Sequence, residues 1–274
     1  MSVSLVNNLA SLGSQARVNA TSSQLNATIQ RLSSGLRINM SGDDAAGLAI
    51  ANRHRSDVQQ LRQGIRNAND GLSQMQIIDG GLNTISNLLD RAMTLATQSA
   101  SETFTGSRTV LNNELTQVKN EIDRQAAQIG LNTAGTNATQ LDVYVGGTST
   151  TASNNQVSID LTNKAVDAAG LGVNGLDISS AANAQTAIGT IQNAISTLGT
   201  VQGTVGAGEN RLMQAIDLAT SQMTNIQAAE SRIRDADIAA EASDLSRLSV
   251  LQQSGVAALA QANQSSQAVL SLLR

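Results

Sequence analysis

The sequence contains no cysteine, proline or tryptophan, and it has only one tyrosine and one phenylalanine. Without cysteine, a disulfide framework, a thiol nucleophile and a thiolate metal site are all excluded. Without large aromatic anchors, the apolar content comes from Ala, Leu, Ile and Val, which suit thin contacts between helices better than a compact globular core. The absence of proline is typical of long unbroken helices, because an interior proline costs a helix about 3 kcal/mol.

Charged residues are sparse and their overall balance is mild. The formal net charge is −4, which argues against nucleic acid as the main partner. Residues 1–42 contain Arg17, Arg31 and Arg37 and no acidic residue. No apolar run approaches the roughly 18 residues of a membrane-spanning helix, and residues 1–13 lack the basic and apolar regions of a cleaved secretory signal. The sequence therefore predicts no membrane partner, and any export would have to use another route.

The C-terminal residues carry a narrow apolar stripe of the kind found in coiled coils. From Glu241 onward, the positions at alternating steps of four and three are mostly apolar or small residues. These positions are Leu245, Leu248, Gln252, Gly255, Leu259, Ala262, Ser266, Val269 and Leu273. A helical seam of this length needs a partner of similar length, which we predict to be the N-terminal segment.

The N-terminal segment offers two shorter stripes with the same spacing. They consist of Leu5, Leu9, Leu12 and Ala16, and of Leu25, Ile29, Leu32 and Leu36. The two sets differ in phase by about two residues, so the stripe is expected to jog or break near residues 18–23. We predict that the two termini pair with each other through the leucines, isoleucine and valine of these seams.

The segments between the termini predict two long helices and one shorter helix. Helical periodicity runs from Ala45 through Leu95, and again from about residue 180 to Ile233. The shorter helix is predicted for residues 107–128. The glycines at positions 80 and 81, and those between positions 199 and 208, predict local softening of the two long helices.

The middle of the chain is rich in Gly, Thr, Ser and Asn and predicts a small β-hairpin. Leu141–Val145 and Val157–Leu161 each alternate between apolar and polar residues, and a turn-like stretch separates them. The predicted fold class is therefore mainly α: a long antiparallel helical rod and a terminal coiled-coil pair, with a small β-hairpin insertion at the far tip.

The changes in composition along the chain predict its domain organisation. A chain of this length ordinarily forms one or two domains. We predict that residues 1–42 and 236–274 form a terminal coiled-coil domain, and that residues 43–129 and 177–235 form a helical rod domain. Residues 130–176 are the small β-hairpin region of the rod domain. Ser41 or Asp43 could cap the first rod helix.

Motifs at opposite ends of the chain resemble those of bacterial flagellins. The N-terminal motifs are IQRLSSGLRIN (29–39) and DDAAGLAI (43–50), and the C-terminal ones are RIRDAD (232–237), LQQ (251–253), AQANQ (260–264) and VLSLLR (269–274). The similarity covers about residues 1–130 and 175–274. The chain has no room for the variable outer domains of many flagellins, so it resembles a short form of the family.

The resemblance implies a structural subunit that self-assembles into the bacterial flagellar filament and serves motility. It also implies a helical homopolymer, export of the unfolded chain through the flagellar type III channel, and a secreted, extracellular location. The implied partners besides identical copies are a flagellar export chaperone and the cap and junction proteins. Two alternatives stay open: a hook–filament junction protein, and a secreted adhesin or signalling protein of flagellin type.

Three weaker patterns do not predict a catalytic, cofactor or metal site. Gly170–Gly175 matches G-x-G-x-x-G, but no clear strand precedes it and no acid follows about twenty residues later. His54 is the single histidine, whereas zinc hydrolase motifs need two, and it is predicted to be a solvated helix residue. Asp235, Asp237 and Glu241 resemble the start of a calcium loop, but alanines occupy the next ligand positions. We therefore expect no cofactor, no metal and no enzymatic activity.

A further set of residues matches positions through which a vertebrate Toll-like receptor detects flagellins: Arg91, Leu95, Gln98 and Glu114. Thr94 stands where that motif usually carries Glu, and Val118 stands where it usually carries Arg. These two differences make recognition by the innate receptor doubtful.

Overall fold

The structure is a computed structural model that describes residues 8–147 and 155–271, with side chains described up to residue 265. Its elements in chain order are α1 (Leu9–Ser34), α2 (Ala45–Ala100), α3 (Arg108–Gln128), β1 (Gln140–Tyr144), β2 (Gln156–Asp160), α4 (Ala181–Arg234) and α5 (Ile238–Ser271). The prediction of a mainly helical chain with one small antiparallel hairpin is confirmed. None of the described helices is long and apolar enough to cross a membrane.

The chain divides into two compact units, and the long helices α2 and α4 contribute to both. One unit, here called the terminal unit, comprises the described residues up to Ser56 and from Asn225 onward. The other, the central unit, is Asp57–Thr224. The terminal unit therefore contains the beginning of α2 and the end of α4 in addition to α1 and α5, and it extends beyond the predicted boundaries at residues 42 and 236.

Short polar residues define the ends of the helices in the terminal unit. The Asn8 side chain accepts a hydrogen bond of 3.1 Å from the Ser11 amide at the start of α1, and α1 ends at Gly35, which has φ of 72°. At the start of α2, the Asp44 carboxylate accepts from the Gly47 amide at 2.8 Å. Asp44 is thus the cap of α2, where the sequence suggested Ser41 or Asp43.

In the central unit, α3 runs antiparallel to α2. At one end of the pair, Arg91 of α2 binds Glu114 of α3. Further along, the Ile129 side chain that follows α3 lies directly over Gly81 of α2. A side chain at Gly81 would overlap Ile129, so this glycine allows close contact between α2 and the residue that follows α3.

The hairpin lies along α2, away from the turn that joins α2 to α3. The strands pair in the register Gln140↔Asp160 to Tyr144↔Gln156, each starting one residue earlier than predicted. Val143 of β1 packs on Gly71 of α2. The predicted position at the far tip is corrected: α3, with 21 residues, carries the chain back by about 30 Å before β1 begins.

After β2, residues 161–180 return along α3 without regular secondary structure, and we call them the return segment. Side chains of α3 hold this segment through backbone groups. Asp123 accepts from the Ala168 amide at 2.7 Å, and Asn112 accepts from the Ile178 amide at 3.0 Å. Lys119 donates to two carbonyl oxygens of the segment, at 3.0 and 3.1 Å. The return segment is therefore held against α3 by these hydrogen bonds.

The core of the central unit is aliphatic and continuous along the helices. Its almost fully buried residues include Leu61, Met75, Ile78, Leu82, Ile85, Leu89, Leu95, Leu115, Ile122, Ile159, Ile191, Leu198 and Leu212. The β2 residue Ile159 reaches Gly208 of α4, where a Cβ would lie 2.8 Å from its Cδ1 atom. The helix is continuous there, and the other glycines of this stretch, Gly199, Gly203 and Gly206, have no atom within 4 Å of a Cβ position.

Candidate assembly surface

The helices α1 and α5 pack against each other as an antiparallel pair. Near the end of α1, Arg31 lies 3.5 Å from Glu241, which is in the first turn of α5. Near the start of α1, Ser11 donates a hydrogen bond of 2.8 Å to Asn263. The predicted coiled-coil pairing of the two termini is therefore confirmed for the described residues.

The inner face of α5 follows the predicted steps of four and three. Leu248 is only 7% exposed, and Leu245 and Leu259 are half-buried. Val269 belongs to α5, but its side chain is outside the described part, and Leu273 lies outside the described residues altogether. The α5 stripe thus faces α1 wherever its side chains are described.

On α1 the inner face differs from the one that the leucine spacing predicts. Its buried and half-buried positions include Ser11, Ser14, Val18, Thr21, Leu25, Thr28 and Leu32, at steps of three and four without a jog. Leu36, just after α1, is also half-buried. Val18 faces Gly255, where a Cβ would lie 2.9 Å from its Cγ2 atom. Small residues let the two helices approach closely here. A leucine in place of Gly255 would overlap Val18.

Several large apolar residues of the same pair point away from the inner face. On α1, Leu9 is 81% exposed, Leu12 is 63% exposed and Ile29 is 47% exposed. On α5, Val250 and Leu251 are 64% and 50% exposed. Leu5, which extends the α1 set in the sequence, lies outside the described residues. The pair therefore has an apolar outer surface as well as a small-residue inner seam.

A groove of about 800 Å³ runs between the two helices on one side of the pair. Leu9 and Leu251 form apolar parts of its walls. Gly13 and Gly255 also line it and place no side chain in it. Arg17 is the charged residue among those that line it. The rest of the lining includes polar side chains, so the groove combines apolar and polar surface.

The two family motifs that lie far apart in sequence meet in space at one end of the pair. Gly35 and Arg37 belong to the N-terminal motif, and they bind the residues that join α4 to α5. The Ala236 amide donates to the Gly35 carbonyl at 3.0 Å, and the Arg37 amide donates to the Arg234 carbonyl at 2.6 Å. The Arg37 side chain also donates to the Ile233 carbonyl at 2.7 Å. Periodicity gave no signal for this junction, because backbone groups form most of it.

Charged groups support the turns of the terminal unit. The Asp43 carboxylate accepts hydrogen bonds from the amides of Met40 and Asn39, both at 3.0 Å. These two bonds, helped by the positive charge of Arg31, hold the pKa of Asp43 below its usual range. Arg31 and Glu241 also lie at the helix ends where the helix dipoles favour their charges.

The three weaker patterns lie in the return segment, in α2 and at the junction of α4 and α5. Gly170–Gly175 lies in the return segment between β2 and α4, so it lacks the preceding strand of a dinucleotide site. Asp237 caps α5, accepting from the amides of Ala239 and Ala240. His54 is half-buried, less solvated than predicted, and its Nδ1 atom makes no hydrogen bond to a described residue. No cluster of three or more potential metal-binding side chains occurs within the described part of the chain.

The residues that match the innate-receptor motif differ in exposure. Arg91 and Gln98 are exposed, Glu114 is half-buried, and Arg91 and Glu114 bind each other. Leu95 is 1% exposed and belongs to the core of the central unit. Its side chain therefore offers no surface to a receptor.

Comparisons with known proteins agree with the motifs at both ends. Family models described as "Bacterial flagellin N-terminal helical region" and "Bacterial flagellin C-terminal helical region" match residues 5–136 and 188–273. A flagellin of Halalkalibacterium halodurans is 37% identical over 97% of this chain and 98% of its own length. The flagellar filament 33 kDa core protein of Treponema phagedenis is 35% identical with the same coverage. A crystal structure of Bacillus cereus flagellin, 29% identical, covers 60% of this chain and 94% of its own, with a TM-score of 0.48.

Proposed function

Because the chain belongs to the bacterial flagellin family, it is a structural subunit of the flagellar filament, and we propose that its copies join through the outer surface of the α1–α5 pair. The observation that carries this proposal is the exposure of Leu9, Leu12 and Val250 on a thin helical pair. Large apolar side chains that are exposed to water favour burial against a partner. For a subunit of a homopolymer, that partner is a second copy.

The residues of the predicted seams divide between two roles in this proposal. Leu25, Leu32, Leu36, Leu245, Leu248 and Leu259 hold the α1–α5 pair together within one subunit. Leu9, Leu12 and Ile29 contact neighbouring subunits, and Leu5, Val269 and Leu273 extend the polymerisation surface toward both chain ends. The inner seam positions the helices, and the outer residues join the copies.

The contact between copies must be heterologous, with different patches meeting head to tail. A symmetric contact in which the same patch meets itself would close a dimer and stop growth. The groove between α1 and α5 and the exposed Leu12 are two such different patches on one molecule. We propose that the outer leucines of one copy pack toward the groove of the next.

The proposal extends to how the chain reaches its site of assembly. We propose that it is exported unfolded through the flagellar type III channel and assembles extracellularly, with an export chaperone, a cap and junction proteins as further partners. The absence of cysteine supports this route, because an unfolded chain without thiols cannot become cross-linked on the way.

The substitution Leu12→Asp tests the outer surface. Leu12 is 63% exposed in the subunit, so the change should leave the melting of the monomer close to that of the wild type. In a polymer, each copy would bury an unpaired carboxylate, which costs several kcal/mol even after relaxation. We expect sedimentation to show no filament.

The matched control is Leu12→Met, which keeps an apolar side chain of similar volume and should polymerise. Electron microscopy of both variants separates loss of assembly from altered filament shape. If Leu12→Asp forms normal filaments, the outer face of α1 is not a polymer contact.

A further inference from the structure

We propose that Asn174 is a site of spontaneous covalent modification, in which its side-chain amide is converted to a carboxylate through attack by the Gly175 backbone nitrogen. This inference does not depend on filament assembly. It rests on the sequence of the turn, on free groups within it, and on the ammonium group of Lys119.

The Asn174-Gly175 pair is the one Asn-Gly dipeptide of the sequence. It occupies the centre of a β-turn, in which the Leu176 amide donates to the Val173 carbonyl at 3.2 Å. Both central residues are exposed, and a Cβ placed on Gly175 would meet no atom within 4 Å. The reacting groups are therefore open to water and free of neighbours that would block their approach.

The nucleophile and its target are both unrestrained. Among the described residues, neither the Gly175 amide nor the Asn174 side chain makes a hydrogen bond. By contrast, the two Asp-Gly pairs of the sequence, Asp70-Gly71 and Asp79-Gly80, lie inside α2. Helical hydrogen bonds hold the backbone amides there and keep them from turning toward the preceding side chain.

Lys119 increases the reactivity of the turn. Its Nζ atom donates to the Asn174 carbonyl at 3.0 Å, and that carbonyl belongs to the same peptide group as the Gly175 nitrogen. A positive charge beside the carbonyl stabilises the negative charge that the peptide acquires when its N–H loses a proton. The Gly175 nitrogen is thereby a better nucleophile than an ordinary turn amide.

The reaction needs water and no other reactant. The Gly175 nitrogen forms a bond to the Asn174 Cγ atom, the bond from Cγ to the side-chain nitrogen breaks, and ammonia leaves with the amide proton. Water then opens the five-membered succinimide at one of its two carbonyl carbons. Opening at Cγ gives aspartate, and opening at the main-chain carbonyl gives isoaspartate with the chain running through the former side chain.

The reaction changes the return segment at the point where Lys119 binds it. Either outcome adds one negative charge close to Lys119. Isoaspartate also adds one backbone atom between Val173 and Ile178, which are 1% and 0% exposed. The Lys119 hydrogen bonds to residues 174 and 176 span this insertion, so the isoaspartate form should lose at least one of them.

The test is to incubate the purified full-length protein at neutral and mildly alkaline pH and to follow residues 165–211 after trypsin digestion. This fragment, between Lys164 and Arg211, also contains Asn183 and Asn193, which lie in α4 and serve as internal controls. We expect a gain of about one dalton that fragmentation assigns to residue 174 alone. The rate should rise with hydroxide concentration, and isoaspartate methyltransferase should label the product.

Two variants complete the test. Asn174→Gln should lose the reaction, because its longer side chain would have to close a six-membered ring. Gly175→Ala should slow it without disturbing the fold, since the added methyl group has free space. The proposal is overturned if Asn174 in the folded protein stays as unmodified as Asn183 and Asn193 while the released tryptic fragment converts.

Discussion

At the scale of single residues, Asp43 and Asp44 are neighbours with different tasks. Asp44 caps α2 through the Gly47 amide. Asp43 faces backward and holds the turn after Ile38 through the amides of Asn39 and Met40. The turn positions Ile38, which is 2% exposed. The charge of Asp43 therefore stabilises a local turn of the terminal unit.

The stability that Asp43 supplies should depend on pH. Its two backbone hydrogen bonds lower its pKa in the folded state, so the contribution is complete above the unfolded pKa, near 3.9, and is lost as pH falls through the folded pKa. Asp43→Asn should therefore lower the melting temperature at neutral pH. The difference from wild type should shrink as pH falls below about 4.

Melting curves of wild type and Asp43→Asn between neutral and acidic pH check this sign. Asp90→Asn is a suitable control, because the Asp90 carboxylate accepts no backbone amide among the described residues. A difference between Asp43→Asn and wild type that grows as pH falls would contradict the role given to Asp43.

At the scale of elements, glycines of α2 decide where the hairpin sits. The Val145 carbonyl lies directly on Gly64, and any side chain there would overlap it. Gly71 has Val143 2.8 Å from where its Cβ would be. Gly80, in the same helix, has no atom within 4 Å of that position. Gly64 and Gly71 thus form the surface of α2 on which the hairpin packs. Gly80 is not part of that surface.

The same substitution at two glycines of α2 should have opposite effects. Gly64→Ala pushes the hairpin off the helix and should destabilise the central unit by about 1–3 kcal/mol. Gly80→Ala adds helix propensity without a clash and should stabilise it by about 0.5–1 kcal/mol. Urea unfolding followed by circular dichroism measures both. Equal changes in the free energy of unfolding for the two variants would show that the contact at Gly64 does not support the hairpin.

Sequence periodicity predicts some features of these elements and misses others. Period-two alternation located β1 and β2 to within one residue, and the steps of four and three identified the inner face of α5. Leu25 and Leu32 of the predicted stripe lie on the inner face of α1. The first half of that face was not predicted, because Ser11, Ser14 and Thr21 look like solvent-facing residues unless the position of Gly255 is known. The contacts of the hairpin with Gly64 and Gly71 give no periodic signal in the sequence, because glycine has no side chain.

The position of the hairpin was missed for a related reason. Periodicity describes which face of an element is buried, but it does not say how far along a neighbour the element lies. That distance depends on the length of α3 and on Ile129 meeting Gly81. The leucine spacing places Leu9 and Leu12 on the inner face of the α1–α5 pair, whereas both are exposed in the structure.

At the scale of the whole molecule, the two units should differ in stability. The central unit has a continuous aliphatic core along three helices. The terminal unit depends largely on the α1–α5 pair, whose inner seam includes Ser11, Ser14, Thr21 and Thr28. Such small polar residues bury little apolar area, so the free energy of pairing is small. A change in the inner seam should therefore unfold the pair without unfolding the central unit.

Leu248 and Val250 separate folding of the terminal unit from assembly. Leu248 is 7% exposed and Val250 is 64% exposed, although they are two residues apart in α5. Leu248→Asp removes a packed side chain, at about 2–5 kcal/mol, and leaves an unpaired charge in the seam. Hydrogen exchange in the monomer should show loss of protection across α1 and α5, whereas calorimetry should show an unchanged transition for the central unit.

Val250→Asp should leave both measurements close to wild type and still prevent polymerisation, because its carboxylate meets water in the monomer and a neighbouring copy in the polymer. The two variants thus carry the same charge on the same helix and should fail at different steps. Loss of protection in the Val250→Asp monomer would show that Val250 supports the pair itself. Unchanged protection in Leu248→Asp would show that the α1–α5 seam does not hold the terminal unit together.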